Sequence, residues 1–223
     1  VEVPDERLDK LAEFSKSAKK IPAVVEFVDI AGLVRGANKG EGLGNQFLAS
    51  IREVDAVLYV VRAFEDPNIV HVEARVDPKA DFEILTTELM LKDLETASKH
   101  MEKVRKDVRA GSKEAALELE ILEKTKKGLE DGVMAYKILN EVTGEKYKAS
   151  AEKLRRELQL LTVKRGIILF NTNGEGPAQE LMDFPALAMN IREELDGAGF
   201  SNDERKELGL SSAKLPELTR LAY

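Results

Sequence analysis

The feature that most limits the possible folds is a change of hydrophobic period along the chain. Residues 56–61 and 166–170 are short runs of β-branched and aliphatic residues, which is the composition of buried strands. Between them, residues 81–161 show almost no strand pattern. Apolar side chains there recur alternately four and three positions apart, at Met90, Leu94, Ala97, Met101, Val104 and Val108. We therefore expect an α/β domain that is interrupted by an inserted helical segment.

A glycine and a serine predict where the inserted segment turns back. Gly111 interrupts the apolar spacing, and Ser112 can cap a following helix. A similar spacing then resumes at Ala115, Leu119, Leu122, Leu129 and Val133. We expect two long antiparallel helices joined by a short turn, with one apolar stripe between them. A stripe this narrow predicts a coiled-coil arm that projects from the globular part, and a third helix is expected over residues 151–160.

The segment before the insertion predicts part of a doubly wound parallel sheet. Residues 24–30 are rich in β-branched side chains and are predicted to form a strand that is buried on both faces. A glycine-rich loop, a helix over 45–54 and the strand at 56–61 would complete a right-handed strand–helix–strand unit. Shorter helices are expected at 5–14, 203–208 and 216–223. The expected parts of the chain are 1–80, 81–163 and 164–223.

Composition excludes several classes of site. The formal charge of −7 argues against a protein that coats nucleic acid over its whole surface. The absence of cysteine excludes disulfides, zinc–thiolate sites and thiol nucleophiles. A cytoplasmic location, which we expect, fits this absence. The sequence also contains no apolar run long enough for a membrane span, so we expect no membrane partner. The chain begins at Val1, and we expect it to be a fragment of a longer protein.

Asp29 and Gly32 form the sequence D-x-x-G, which is typical of P-loop nucleotide triphosphatases. In such a motif the carboxylate lies near Mg²⁺, and the glycine lets a backbone amide approach the terminal phosphate. The alternative is an aspartate that caps a turn. Many GTPases place a glutamine after the glycine to orient water, but Leu33 cannot do this and could instead pack at the base of the loop. The phosphate-binding motif G-x-x-x-x-G-K-[ST] does not occur in these residues.

Two further segments contain candidate site residues. His71 lies in a loop between two valines and could position a water molecule, although a loop histidine without a role is the simpler interpretation. Asn171, Thr172 and Glu175 follow the predicted strand at 166–170, where a doubly wound sheet binds its ligand. Asn171 could read a base edge or tie two loops together, and ordinary turn chemistry is the alternative.

The predicted arm carries an excess of basic residues toward its tip. They are Lys99, Lys103, Arg105, Lys106, Arg109, Lys113, Lys124, Lys126 and Lys127. These basic side chains could bind the phosphates of an RNA. The alternative is a solvated coiled-coil surface whose charges pair with the neighbouring acids.

Taken together, these residues resemble the YchF / Obg-like ATPase family. The resemblance is strongest over residues 24–95 and includes VEFVDIAGLVRGANKGEGLGNQFLASIREVDAVLYVV and the later TELMLKDLE. It implies an α/β P-loop NTPase, or G domain, whose N-terminal P-loop part is missing here and which carries an inserted antiparallel coiled-coil arm. It also implies Mg²⁺ and ATP as ligands, a ribosome (large subunit or 70S) as partner, and a C-terminal TGS domain that is absent from these residues.

The resemblance also assigns roles to single residues. Asp29 matches the magnesium position, Gly32 the γ-phosphate position, and Leu33 the hydrophobic replacement of the glutamine. His71 matches the histidine held to act in place of that glutamine, and Asn171 matches the first residue of a base-reading N-x-x-E element. The glutamate of that element is replaced by Gly174, with Glu175 one position later.

Three functional hypotheses follow. The first is an ATPase of the YchF type that regulates translation or the stress response as a monomer, active when intact and inactive in this fragment. The second is a nucleotide-switched module whose arm binds the ribosome and in which hydrolysis is incidental. The third is a GTPase in which Glu175 accepts hydrogen bonds from guanine.

Overall fold

The structure is a computed structural model that describes residues 1–30, 43–68, 75–174 and 183–223, without the side chains of 43–47. The chain divides into two compact units. The first comprises Val1–Asp29, Leu58–Pro78 and Gly166–Tyr223, and the second comprises Ile30–Val57 and Lys79–Arg165. Among the helices in the described ranges, none combines the length and the apolar character needed to cross a bilayer.

The first unit contains a three-stranded sheet in the order β1 (Ala56–Arg62), β2 (Arg165–Asn171) and β3 (Ala186–Met189). Strands β2 and β3 run parallel, with Ile168 opposite Ala186. The predicted strands at 56–61 and 166–170 are therefore confirmed. Strand β3 was not predicted, because four residues are too few to show a period.

One core cluster of the first unit lies on one face of this sheet. It is formed by Ile167, Leu169, Leu187, Met189 and Leu218. The helices of this unit are α1 (Glu6–Ser15), α7 (Ile191–Asp196), α8 (Asn202–Glu207) and α9 (Leu215–Ala222). Leu218 belongs to α9. The predicted helices at 5–14, 203–208 and 216–223 are confirmed. Glycine is needed at Gly166, because an added Cβ would lie 2.3 Å from the ring of Phe184.

The prediction of a buried strand over residues 24–30 is wrong. Only Val24 makes a β-bridge, antiparallel to Glu2, and the described sheet does not include the segment. Phe27 is 41% exposed and Val28 is 56% exposed. A β-branched sequence favours extended backbone, but a strand also needs a neighbouring chain for its hydrogen bonds. Among the residues that the structure describes, the backbone hydrogen bonds of this segment join Val25 to Val1, so pairing stops near its beginning.

The second unit is helical. Its described elements are α2 (Leu43–Glu53), α3 (Pro78–Arg109), α4 (Lys113–Glu130), α5 (Ala135–Asn140), α6 (Glu145–Leu158) and a 3₁₀ turn (Leu161–Val163). The predicted helices at 45–54 and 151–160 and the two long helices are confirmed. Gly111 adopts a φ of +90° in the turn between α3 and α4, and the hydroxyl of Ser112 accepts a hydrogen bond from the amide of Ala115 at 3.2 Å.

Helix α4 buries more than the single stripe expected for a two-helix arm. Its buried residues are Ala115, Glu118, Ile121, Leu122, Thr125 and Leu129. The helix packs against α5 and α6, so it has neighbours on more than one side. The approach to α5 is close at Gly128, where an added Cβ would lie 2.5 Å from Ile138. The spacing of apolar residues predicted the helices but not this additional packing.

A buried carboxylate fixes the end of the helical unit. Asp93 on α3 is 1% exposed and accepts hydrogen bonds from the amides of Leu161 and Thr162, at 2.7 and 2.8 Å, and from the hydroxyl of Thr162 at 2.6 Å. Burial raises the pKa of Asp93, and these hydrogen bonds act in the opposite direction. The hydroxyl of Thr162 also accepts a hydrogen bond from the amide of Ala135 at 3.0 Å. One carboxylate thus joins α3, the 3₁₀ turn and the start of α5.

A second buried carboxylate joins three helices. Glu118 on α4 is 3% exposed, and its two oxygens lie 2.8 Å from Nε2 of His100 on α3 and 2.9 Å from Nζ of Lys153 on α6. Burial acts to raise the pKa of Glu118, but the hydrogen bonds from His100 and Lys153 outweigh it and lower that pKa below its usual 4.5. Since the folded pKa is depressed, the charged network stabilises the fold above pH 4.5 and is lost as the pH falls through the folded pKa.

We predict that Glu118→Gln lowers the free energy of unfolding at pH 7 by about 1–3 kcal/mol, because two charge-assisted hydrogen bonds are weakened. The difference from the wild type should shrink as the pH falls below about 4.5. Urea unfolding at several pH values measures both effects. Glu152→Gln, at an exposed position of α6, is the matched control and should change little. A Glu118→Gln deficit that is the same at every pH would contradict the assignment.

Candidate functional site

The carboxyl ends of the three strands meet at one edge of the sheet. The amide of Ala63, which directly follows β1, donates to the carbonyl of Asn171 at 2.8 Å. Asn171 is the last residue of β2 and lies opposite Met189, the last residue of β3. The amide of Thr172 donates to the carbonyl of Met189 at 3.0 Å. This is the edge at which parallel α/β sheets bind their ligands.

Asn171 ties two of the segments at this edge together. Its side-chain oxygen accepts a hydrogen bond from the amide of Ile191, the first residue of α7, at 3.2 Å. The side chain is half-buried, and its amide nitrogen makes no hydrogen bond to a residue that the structure describes. The loop-tying role considered from the sequence is therefore present. The donor side of the amide is left available for a ligand.

Thr172 shapes the turn that follows Asn171. It is 5% exposed, and its hydroxyl donates to the carbonyl of Gly174. Because this hydrogen bond lies within the turn, the side chain of Thr172 stabilises the conformation of the predicted base-binding loop. Glu175, predicted to lie in the same loop, is outside the described residues.

A cleft of about 380 Å³ lies beside this turn and along β3. Its lining includes Gly174, Met189, Asn190 and the segment around Ser211. Asn190 caps α7 by accepting a hydrogen bond from the amide of Glu193 at 3.0 Å. The amide of Ser211 donates to the carboxylate of Glu193, and this hydrogen bond lowers the pKa of Glu193. The cleft is thus walled by segments that hydrogen bonds fix to one another.

A buried ion pair holds the far wall of the cleft. Arg205 is 2% exposed; its Nη2 lies 3.1 Å from Glu194, and its Nε donates to the carbonyl of Ser211 at 2.7 Å. Glu194 also accepts from the amides of Lys214 and Leu215, at 3.1 and 3.0 Å. This pair was not predicted. Lysines, arginines and acids are usually exposed, so their sequence positions carry no signal of burial.

The other predicted site residues are not brought together within the described part of the chain. Asp29 is exposed and does not follow a strand, which corrects the expected placement at a strand end. Gly32, Leu33 and His71 lie outside the described residues.

In the described ranges, the group best able to hold a metal is formed by His100, Glu118 and Glu157, whose ligand atoms lie within 4.8 Å of one another. Lys153 already neutralises Glu118, however, and the group is accounted for as an ion-pair network.

Comparison with known proteins gives a consistent result. The profile of the family described as "50S ribosome-binding GTPase" matches residues 9–109. The Ribosome-binding ATPase YchF of Escherichia coli O157:H7 is 39% identical over 238 aligned residues, which cover 100% of this chain and 64% of that protein. The YchF proteins of Bacillus subtilis strain 168 and Mycoplasma pneumoniae are 38% and 40% identical, again over 100% of this chain.

A solved structure is also similar over the whole chain. It is the Schizosaccharomyces pombe YchF GTPase, with a TM-score of 0.77 and 32% sequence identity over 100% of this chain and 64% of that one. The chain thus spans 64% of the length of the Escherichia coli relative and 64% of the solved structure.

We predict that Asn171→Ala lowers the free energy of unfolding by about 1 kcal/mol, because the amide of Ile191 loses its acceptor. Urea unfolding monitored by circular dichroism measures the change. Asn173→Ala is the matched control, since Asn173 is exposed in the same turn and should tolerate the substitution. Equal effects of the two substitutions would show that the hydrogen bond to Ile191 does not stabilise this edge.

Proposed function

We propose that this chain, which belongs to the YchF family of ribosome-binding ATPases, takes part in ATP hydrolysis by a protein that works on the ribosome. The observation that carries the proposal is the sheet edge at which the strand ends meet beside Asn171. Ligands of parallel α/β sheets bind outside the carboxyl ends of the strands. The relatives named as ATPases align with the whole chain, which supports the same reaction class.

Asp29 is suited to the metal side of such a site. Its carboxylate is exposed and makes no hydrogen bond or ion pair with the residues described here, so it is free to bind a water molecule of hydrated Mg²⁺. Bound Mg²⁺ would neutralise charge on the β- and γ-phosphates. In this proposal the role of Asp29 is to hold and orient that hydration shell.

Gly32, Leu33 and His71 are proposed to serve the γ-phosphate and the attacking water. The backbone amide of Gly32 would approach a phosphate oxygen, because glycine has no Cβ to block the approach. Leu33 offers no hydrogen bond to water, so another group has to orient it. An imidazole can do so by accepting a proton or a hydrogen bond from water, which is the role proposed for His71.

The loop of Asn171, Thr172 and Glu175 is proposed to hold the base. The amide nitrogen of Asn171 is the available donor, while its oxygen is already used by Ile191. A donor suits the acceptor nitrogens of adenine. A GTPase is the alternative, because a carboxylate at Glu175 would accept from N1 and N2 of guanine.

Phosphate release by the full-length protein tests this function. We predict that ATP is hydrolysed in preference to GTP and that His71→Ala lowers kcat about 100-fold, since a positioned acid–base group contributes about this much or more. Lys148→Ala is the control, because Lys148 is exposed on α6 and makes no hydrogen bond or ion pair with a described residue. Full activity of His71→Ala would exclude the proposed role, and a preference for GTP would favour the alternative.

A specific feature also favours a ribosome-binding role for the turn between α3 and α4. Four exposed cations surround this turn and make no ion pair with any residue in the described ranges: Lys103, Lys106, Arg109 and Lys113. Some other basic residues of these helices are paired, as Lys99 is with Glu95 and Arg105 is with Glu102. Unpaired cations release counterions when they bind phosphate, so this turn is proposed to contact ribosomal RNA.

Reversing these four charges to glutamate should abolish co-sedimentation of the full-length protein with ribosomes and reduce the salt dependence of binding. Reversing Lys10, Lys16, Lys19 and Lys206 is the matched control, since these lysines are exposed and lie in the first unit. Equal loss in both variants would point to a non-specific charge effect. Retained binding after reversal at the turn would exclude it as the contact.

A further inference from the structure

We propose that the outer edge of β3 binds an extended, basic peptide segment of a partner protein, which adds to the sheet as a further strand. The proposal goes beyond ATP hydrolysis and does not depend on it. It assigns a ligand to the cleft along β3. The predicted base-binding loop lies at the carboxyl end of β2, whereas this site runs along the side of β3 that faces away from β2.

The backbone of β3 offers hydrogen-bonding groups on this outer side. Strand β3 is the last in the order of the described sheet. The carbonyls of Pro185 and Met189 accept hydrogen bonds from amides in β2 and directly after it, at 2.9 and 3.0 Å. Backbone groups of alternate residues point to opposite sides of a strand, so those of Ala186 and Ala188 point away from β2. Within the described ranges they have no hydrogen-bond partner. Such a row of donors and acceptors is a template for another extended chain.

The cleft beside this edge leaves room for a strand. Residues 186–190 line the cleft, whose volume is about 380 Å³. Leu187 and Met189 belong to the core cluster on one face of the sheet. Side chains alternate between the two faces of a strand, so Ala186 and Ala188 lie on the other face, where both are half-buried. Because these side chains are small, the side chains of an added strand have space beside them.

The opposite wall of the cleft is held in place before any ligand binds. The amide of Ala213 donates to the side chain of Asn202 at 3.0 Å. The amide of Lys214 donates to the carboxylate of Glu194 at 3.1 Å. Ser212 also lines the cleft, and its exposed hydroxyl makes no hydrogen bond to a residue that the structure describes. A wall fixed in this way loses little conformational freedom on binding, and Ser212 offers the ligand one more polar contact.

The charge of the lining favours a basic ligand. Glu194 is neutralised by Arg205 at 3.1 Å, and Glu217 lies 3.3 Å from Lys214. Glu193 lines the same cleft and forms no ion pair with a described residue. The amide of Ser211 donates to Glu193 and lowers its pKa, so this carboxylate is ionised at neutral pH. The cleft therefore keeps one negative charge that a lysine or arginine of the ligand can pair with.

A second copy of this chain fits the edge less well than a basic peptide. Residues 183–217 contain eight acidic and four basic side chains, so two copies that met at this edge would repel each other. Strand β3 has only four residues. A stable protein–protein interface buries about 800 Å² on each partner, which two such short edges do not supply by themselves. A single extended segment needs only the backbone groups of the edge and the space of the cleft.

Calorimetric titration of the full-length protein with the hexapeptide acetyl-Lys-Val-Lys-Val-Lys-Val-amide tests the site. We expect a Kd on the order of 100 μM, because a few backbone hydrogen bonds each contribute little net free energy. The same peptide with every backbone amide N-methylated keeps its charge but cannot donate, and it should bind at least tenfold more weakly. Glu193→Gln should weaken binding of the first peptide about threefold, since one exposed charge pair is lost.

Glu207→Gln is the matched control, because Glu207 is exposed on α8 and does not line the cleft. It should leave the Kd unchanged. Equal affinity of the two peptides would show that charge alone attracts them and would overturn strand addition. Absence of binding by the first peptide, or equal effects of the two substitutions, would also contradict the proposed site.

Hydrogen exchange followed by NMR locates the peptide on the edge. At a peptide concentration ten times the Kd, the amides of Ala186 and Ala188 should exchange about tenfold more slowly than in the free protein. Those of Leu187 and Met189 face β2 and serve as internal controls, which should be protected in both states. Protection of Ala186 and Ala188 without peptide would overturn the proposal, and sedimentation would then show whether a second copy covers the edge. Unchanged exchange at saturation would exclude the edge as the binding site.

Discussion

The candidate site depends on the hydrogen bonding of β2, the middle strand of the described sheet. This strand pairs with β1 on one side and β3 on the other, and Ile167 to Phe170 are all buried. Because Asn171 bonds to Ala63 through its carbonyl and lies opposite Met189, the ends of all three strands meet at one edge. The described part of the predicted base-binding loop begins directly where β2 ends.

In the helical unit, buried charged side chains fix how the segments align. Asp93 and Glu118 are 1% and 3% exposed, and each joins three segments that are distant in sequence. Burying a carboxylate costs free energy unless hydrogen-bond donors surround it, so its partners are held in defined positions. Apolar stripes bring the helices together, while these two groups specify how they align. Lys164 extends the network of Asp93 to the end of α2, because its Nζ donates to the carbonyl of Arg52.

The sequence was a good guide wherever local signals decided the outcome. The helix at α2, the turn at Gly111 and the strands β1 and β2 follow from period, capping and turn chemistry, and the structure confirms them. The sequence was a poor guide where the local structure depends on pairing with another segment of the chain. Residues 24–30 have strand composition, but beyond Val25 they pair with no other segment that the structure describes. The four residues of β3 are a strand because β2 lies beside them. The ion pair of Arg205 and Glu194 gave no sequence signal at all.

The sequence by itself determined the family, the change from strand to helix period, and the identity of the candidate residues Asp29, Gly32, His71 and Asn171. These depend on residue type and spacing, which are local properties. Only the tertiary structure decided that the oxygen of Asn171 is committed to Ile191, that α4 packs on α5 and α6, and that Lys164 reaches the carbonyl of Arg52. Such contacts join positions that are far apart in sequence. Their energies depend on burial and direction, which arise only when the chain has folded.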